Sequence, residues 1–275
     1  MRIQMSKQLS VILATIASVL LIFCLLFGAM EIGMSDKTFI NNEYTKLGLS
    51  REMGMNNVDL VNSCIRLIDY MKGDVDSIDI TVTVNGEKVL MFDQEQEVSH
   101  MKDVQTLYLM IKQYRNYAAI GALVLYLLAA LLAVRNGPLH SIGKGYIWGT
   151  FIMMLILGFV GTWAALDFDS FWTMFHQSLF WNDDWLFDPT TSRMINLLPS
   201  QFFQDLVIRI VLYAIGAVLV LLIIAIIIVR KYNKKKQKEE EIAIKKARAR
   251  RRKAKKLEAE RQEALLAEEG PESES

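Results

Sequence analysis

Four long apolar runs dominate the pattern of hydrophobic and polar positions along the chain. They are Leu9–Met30, Tyr117–Val134, Tyr146–Leu166 and Leu206–Val229. As an α-helix, the first run would be about 33 Å long, enough to cross a hydrocarbon core of about 30 Å. A cleaved signal peptide is the alternative for this run, but its length and the lack of a small-x-small cleavage site favour an uncleaved anchor. The pattern therefore predicts a mainly α membrane protein with four transmembrane helices.

The polar segment between the first two runs, residues 31–114, is long enough for a small α+β module. Apolar residues at helical spacing predict a helix from about Val58 to Met71. Asn57 can cap the start of this helix, and Gly73 can end it.

A β-hairpin is predicted after this helix. The runs Ile78–Val84 and Lys88–Phe92 flank Asn85-Gly86-Glu87, and Asn-Gly suits the two positive φ angles of a type I′ turn. The sequence E-V-S-H-M-K-D-V at Glu97–Val104 is then expected to open a helix that continues into the second span. The module between the first two spans is therefore a helix plus a β-hairpin.

Charge is distributed unevenly between the body of the chain and its end. From residue 230 onward there are 16 Lys+Arg and 10 Asp+Glu, out of totals of 31 and 30. With four spans, the basic tail, the basic connector 135–145 and the basic residues before the first span fall on one side of the membrane. The positive-inside rule places that side, with both termini, in the cytoplasm. The segments 31–114 and 167–205 are then extracytoplasmic.

The tail, residues 230–275, is rich in Ala, Glu, Lys and Arg and is predicted to be a solvated helix with a disordered acidic end. A basic block beside a last span ordinarily contacts anionic lipid, so we expect membrane lipid rather than nucleic acid as its partner. The predicted segments are the first transmembrane helix, 1–30; the extracytoplasmic module, 31–114; helices two to four, 115–229, with the cytoplasmic connector 135–145 and an extracytoplasmic aromatic loop 167–205; and the basic cytoplasmic tail, 230–275.

The aromatic loop contains the densest cluster of rings in the chain. Phe171–Pro189 holds three tryptophans, four phenylalanines, three aspartates and His176. Aromatic rings favour the membrane–water boundary, whereas the imidazole and the carboxylates indicate a polar site there. His100, three residues before Asp103 on one helix face, should end on the same side of the membrane.

These two histidines are the main candidates for chemistry. Taken alone, His100 fits a surface residue and His176 fits an aromatic-belt residue. However, both lie near predicted span ends on the same side of the membrane, and histidine is the side chain that titrates near neutral pH. A general base beside a second imidazole or a carboxylate suits acyl transfer. His140, in a cytoplasmic turn, is interpreted as a surface residue.

Other chemistry has weaker support in the sequence. Cys24 and Cys64 give no disulfide framework or metal-ligand spacing, and no spaced ligand motif predicts a metal. Arg209, in the first turn of the fourth span, either extends to the interface or holds an anion. Gly145 and Gly149 have the small-xxx-small spacing of a helix-packing contact.

Three motifs resemble the bacterial lipoprotein intramolecular transacylases. They are E-V-S-H-M-K-D-V at Glu97–Val104, F-H-Q-S-L-F-W-N-D-D-W-L-F-D-P at Phe175–Pro189, and L-L-P-S-Q-F-F at Leu197–Phe203. Four spans with an extracytoplasmic first loop also fit, so the resemblance covers about residues 1–230 and leaves the basic tail as an extension.

The resemblance implies a membrane acyltransferase of the bacterial cell membrane. Its substrate would be a lipoprotein whose N-terminal cysteine carries diacylglycerol, and the middle-position acyl chain would move to the cysteine's own amine, giving a lyso-form lipoprotein without any cofactor. The catalytic pair carries over to His100 and His176, without indicating which is the base and which the acid. From chemistry alone, Asp103 could orient His100, and Asn182 or Arg209 could stabilise an oxyanion.

Two other classes of function remain open on the sequence. One is a membrane-anchored sensor or assembly protein whose module 31–114 binds a ligand or a protein. The other is a metal-dependent membrane hydrolase. A channel or transporter is disfavoured because the four spans carry almost no central charge.

Overall fold

The computed structural model describes residues 2–134 and 137–268. Arg135, at the start of the predicted connector, and the acidic end of the tail lie outside the described residues. The elements in chain order are α1 (Arg2–Met34), α2 (Lys37–Leu47), α3 (Leu49–Glu52), α4 (Asn57–Lys72), β1 (Thr81–Val84), β2 (Glu87–Leu90), α5 (Glu95–Leu132), α6 (Pro138–Leu166), α7 (Phe168–Leu179), α8 (Arg193–Leu197) and α9 (Ser200–Glu268).

Within the described residues, four helices are long and apolar enough to cross a membrane: α1, α5, α6 and α9. Helices α1, α6 and α9 each contain a whole apolar run, and α5 contains all but the last two residues of the run Tyr117–Val134. In α5 the continuous apolar part begins near Tyr117, and the preceding turns from Glu95 mix polar and apolar residues. The fold is mainly helical, with one small sheet.

Helix α1 runs antiparallel to α5 and packs along it. Ser10 donates to the carbonyl oxygen of Ala129 over 2.7 Å, and the hydroxyls of Ser18 and Tyr126 are 2.8 Å apart. Near the other end, the Cys24 thiol lies 3.5 Å from the carbonyl oxygen of Arg115. Two hydroxyl contacts and one thiol contact thus join these two apolar helices at successive levels.

Glycines bring α6 against α1. A Cβ atom at Gly145 would lie 2.4 Å from the Cβ atom of Ala14, and one at Gly149 would lie 2.5 Å from that of Ser18. A side chain at either glycine would therefore push the helices apart. The predicted small-xxx-small contact is confirmed.

The predicted helix and hairpin lie between α1 and α5. Helix α4 ends at Gly73 with φ 79°, as predicted, but its N-cap is Asn56 rather than Asn57, because the Asn56 side chain accepts from the Asp59 amide. The β1–β2 turn consists of Asn85 and Gly86, with φ 51° and 88°. The strands are shorter than predicted, and Glu87 belongs to β2.

The core of this module includes residues from much later in the chain. Tyr44, Leu60 and Phe92 are fully buried, and Leu197 of α8 and Phe202 of α9 belong to the same cluster. The rings of Tyr44 and Phe202 are 5.4 Å apart. Because α8 and the start of α9 are part of this core, the segment after α6 is held against the module.

The segment 167–205, predicted as a loop, contains helices. The Asp167 carboxylate accepts from the Ser170 amide and caps α7, and the Ser192 hydroxyl caps α8. Helix α9 begins at Ser200, six residues before the apolar run. Aromatic residues recur three or four positions apart in α7, which forms one apolar helix face.

His140 was predicted to be exposed, and this is wrong. Helix α6 already begins at Pro138, and His140 in its first turn is only 3% exposed. Proline at the first helical position favours this early start.

The unit Ile227–Ser275 contains the basic tail. Its described residues to 268 are helical, as predicted, and those from 233 to 262 are exposed. The helix carries three surface ion pairs whose partners are four residues apart in sequence: Lys235–Glu239, Lys236–Glu240 and Lys256–Glu260.

Candidate active site

His100 of α5 and His176 of α7 lie next to each other. Their ring centroids are 5.9 Å apart with an angle of 32° between the planes. Each residue is only 7% exposed. The two histidines singled out in the sequence are thus brought together in one buried site.

Both rings line an apolar cavity of about 340 Å³. Apart from the two imidazoles, its wall is almost entirely aliphatic, aromatic or sulfur-containing. The wall residues come from α1 (Phe27, Met30, Met34), α4 (Cys64, Leu67, Ile68, Met71), α5 (Met101, Val104, Leu107, Tyr108, Ile111), α7 (Trp172, Phe175), the following loop (Phe180, Trp185, Phe187), α8 and its C-cap (Met194, Ile195, Leu198) and the start of α9 (Phe202, Phe203, Leu206). Such a wall suits a hydrocarbon chain.

The hydrogen bond of His176 fixes its tautomer. Its Nδ1 lies 2.8 Å from the backbone carbonyl oxygen of Trp172. Because a carbonyl oxygen only accepts, Nδ1 carries the hydrogen, and the neutral ring presents its lone pair at Nε2. Trp185 stacks on the ring at 5.0 Å, and Trp172 meets it edge-on at 4.8 Å.

His100 is held mainly by aromatic edges. The rings of Phe180 and Phe187 meet it at 5.2 and 5.4 Å in T-shaped contacts. Its Nδ1 is buried and has no hydrogen-bond partner among the described residues. A polar group of a substrate at this position would satisfy the nitrogen.

Burial shifts both imidazoles towards their neutral forms. Desolvation, and then the neighbouring His176, lower the pKa of His100 to about 4, although Asp103 and Asp184 act in the opposite direction. Burial also lowers the pKa of His176, against the hydrogen bond to Trp172. Both rings are therefore unprotonated at neutral pH and can accept a proton.

Asp103 and Asn182 are partners of each other. The Asn182 amide donates to the Asp103 carboxylate over 2.8 Å. Both residues line a neighbouring groove rather than the cavity that contains the histidines. Asp103 thus acts on His100 through its charge, and Asn182 fixes the loop after α7 to α5.

Arg209 is engaged elsewhere. Its guanidinium group forms an ion pair with Asp36, the N-cap of α2, and lies 4.8 Å from the centre of the Phe39 ring. These contacts join α9 to α2. The part of α9 that lines the cavity is instead Phe202, Phe203 and Leu206.

Glu97 is a residue that the sequence analysis did not single out. It is 1% exposed, and its Oε1 accepts from the Ser192 hydroxyl over 2.6 Å and from the Met194 amide over 3.0 Å. Its other oxygen caps α5 at Gln94. A glutamate at the third position of a predicted helix signals a cap, but the long-range contacts have no local signal.

The ring stack on His176 also depends on contacts that the sequence does not reveal. The Ser99 hydroxyl donates to the Asp184 carboxylate over 2.6 Å, and the Gln96 amide donates to the carbonyl oxygens of Asp184 and Leu186. These bonds fix the loop that carries Trp185. Among the described residues, no group of three or more His, Cys, Asp or Glu could hold a metal ion.

Comparison with known proteins gives one family. The model of the family described as lipoprotein intramolecular transacylase Lit matches residues 15–203. The membrane integral lipoprotein intramolecular transacylase Lit from Bacillus cereus has a similar solved structure, with 19% identity, a TM-score of 0.59, and coverage of 84% of this chain and 99% of that chain. A structure of the same protein with one histidine replaced by alanine gives 20% identity and the same TM-score. No curated protein matches the sequence.

Proposed function

Since the chain belongs to the lipoprotein intramolecular transacylase family and is an acyltransferase that acts on lipoproteins, we propose that His100 and His176 form its catalytic pair. The observation that carries this proposal is the position of two buried imidazoles, 5.9 Å apart, in the wall of an apolar cavity. Family membership favours this reaction over the sensor and metal-dependent hydrolase interpretations.

The reaction that fits the site moves one acyl chain within one substrate. The N-terminal amine of a diacylglyceryl-cysteine attacks the carbonyl carbon of the middle-position ester. A ring closes through the amine nitrogen, Cα, Cβ, the sulfur, two glycerol carbons, the ester oxygen and the carbonyl carbon. Such a ring forms only when the substrate is held folded, so positioning by the cavity contributes much of the catalysis. Ester to amide transfer needs no cofactor.

We assign the first proton transfer to His176. Its Nδ1 is committed to the Trp172 carbonyl oxygen, so Nε2 is the atom that accepts the amine proton during attack. His176 then passes this proton to one ring nitrogen of His100, which releases a proton from its other nitrogen to the departing glycerol oxygen. The amine has lost one proton, the glycerol oxygen has gained one, and both rings are neutral again.

Single substitutions test the pair. His100→Ala or His176→Ala should abolish the lyso-form lipoprotein, measured by mass spectrometry of lipopeptides from cells that depend on this enzyme. His140→Gln is the matched control, because it changes the third histidine outside the cavity. Normal product from both alanine variants, at equal amounts of enzyme, would reject the assignment.

The supporting residues have separate roles in this proposal. Asp103 tunes His100 electrostatically, and Asn182 keeps the loop after α7 in place by binding Asp103. Arg209 positions the start of α9 by binding Asp36. An oxyanion would then be stabilised by the His100 ring rather than by Asn182 or Arg209.

For topology we propose four spans in a bacterial cell membrane, with both termini and the basic tail in the cytoplasm. The module 31–114 and the histidine site are extracytoplasmic, and the tail contacts anionic lipid rather than nucleic acid. The positive-inside rule supports this orientation. A membrane-impermeant maleimide should label Glu87→Cys in intact cells and Lys256→Cys only after lysis; the reverse labelling would refute the orientation.

A further inference from the structure

The cavity that contains the histidine pair has a definite far end. On α5 its wall runs from His100 to Ile111, and on α1 it begins at Phe27. Beyond these levels α1 and α5 are in direct contact, with the Cys24 thiol 3.5 Å from the carbonyl oxygen of Arg115. The cavity therefore closes where the two helices meet.

Two rings and an ion pair form this floor. The rings of Phe27 and Tyr108 are 5.5 Å apart and both side chains are buried. The Tyr108 hydroxyl donates to Oε1 of Glu31 over 2.7 Å, and Arg115 binds Oε2 of the same carboxylate over 2.7 Å. The guanidinium group of Arg115 also lies over the Phe27 ring at 4.9 Å. Each ring is thus fixed by a polar partner behind it.

We propose that Phe27 and Tyr108 set the maximum length of the acyl chain that this enzyme transfers. This inference rests on the proposed function, which places the reacting carbonyl beside His100 and His176. The chain attached to that carbonyl must then extend along the apolar wall towards the floor. Glu31 and Arg115 are positioning residues that keep the floor closed.

The distance from the histidines to the floor gives a length. From His100 to Tyr108 the helix rises about 12 Å, at about 1.5 Å per residue. An extended chain advances about 1.25 Å per methylene, from its bond length and angle, so roughly ten methylenes reach the floor. Each further methylene left unburied should reduce transfer about fourfold.

The test uses synthetic diacylglyceryl lipopeptides whose middle-position chain varies from ten to twenty carbons. Transfer by the full-length enzyme in detergent is followed by mass spectrometry of the N-acyl product. The wild type should show a length limit. Tyr108→Ala and Phe27→Ala should extend it by about four methylenes, the length of one helical turn. Met30→Phe, which fills the same end, should shorten it.

Two variants separate the floor from general loosening of the helices. Tyr108→Phe keeps the ring but loses its bond to Glu31, so its limit should lie between that of the wild type and that of Tyr108→Ala. Tyr126→Ala removes a tyrosine of the same helix pair below the floor and should keep the wild-type limit. If Tyr108→Ala, Phe27→Ala and Met30→Phe transfer acyl chains with the wild-type limit, the floor does not select length. If the wild type forms no N-acyl product from any chain, the proposed function itself fails.

Discussion

Glu97 offers a direct way to test how the histidine site is assembled. Replacing it by alanine removes the carboxyl oxygen that accepts from the Ser192 hydroxyl and the Met194 amide, both of which are buried. Helix α8 would then lose its bonds to Glu97 of α5, and the preceding loop would be held to α5 by the bonds of Gln96, Ser99 and Asp103 near its start.

The magnitude follows from the two donors left without a partner. A buried unsatisfied donor costs about 1–3 kcal/mol, so Glu97→Ala should destabilise the protein by about 2–6 kcal/mol. For a chain of this size each kcal/mol lowers Tm by about 2–4 °C. Glu97→Gln retains one carbonyl oxygen and should lose less than half as much stability.

The assay is thermal unfolding of the purified protein in detergent, combined with transfer activity at a temperature below both transitions. Activity should fall in Glu97→Ala because Phe187 and Trp185, which hold the two imidazoles, lie on the loop that loosens. A Glu97→Ala protein with unchanged Tm and full activity would refute the reasoning.

Three further predictions concern pH, helix packing and the charge near His100. Folding lowers the pKa of His100 from its ordinary 6.5 to about 4, so between these pH values the unfolded chain binds more protons than the folded one. The free energy of unfolding should therefore decrease as the pH falls from about 6.5 to 4, by at most about 1.4 kcal/mol per pH unit. Thermal unfolding of His100→Gln should lack this contribution. Gly145→Leu should greatly reduce folded protein in membranes because α1 is too close, whereas Gly158→Leu, with nothing near its Cβ position, should not. Asp103→Asn should change kcat less than about tenfold with little change in KM, since its partly exposed charge is screened by solvent; a complete loss of transfer in steady-state kinetics would show a larger role.

The elements with local signals were the predictable ones. The apolar runs supply the apolar parts of α1, α5, α6 and α9. Asn85-Gly86 forms the hairpin turn because such residues readily accept two positive φ angles. His100 and His176 could be paired from the order of the spans. Their side on the membrane remains a prediction.

The rest depended on contacts between distant parts of the chain. The sequence predicts a loop where α7 lies, because the rings suggest a membrane belt; the Asp167 cap and the apolar face of the segment make it a helix. The burial of His140 and the pairing of Arg209 with Asp36 likewise arise from tertiary packing. A sequence pattern gives the face of a helix but not the neighbour against which it packs.

The central claim is that two neutral imidazoles move an acyl chain within a single substrate. The most direct measurement mixes two diacylglyceryl lipopeptides, one with a heavy acyl chain and one with a heavy peptide, and follows their products by mass spectrometry. Wild-type enzyme should give only products whose chain and peptide come from the same substrate, and His176→Gln should give none above background. Exchange of labelled chains between peptides, or transfer by His176→Gln at the wild-type rate, would contradict the account.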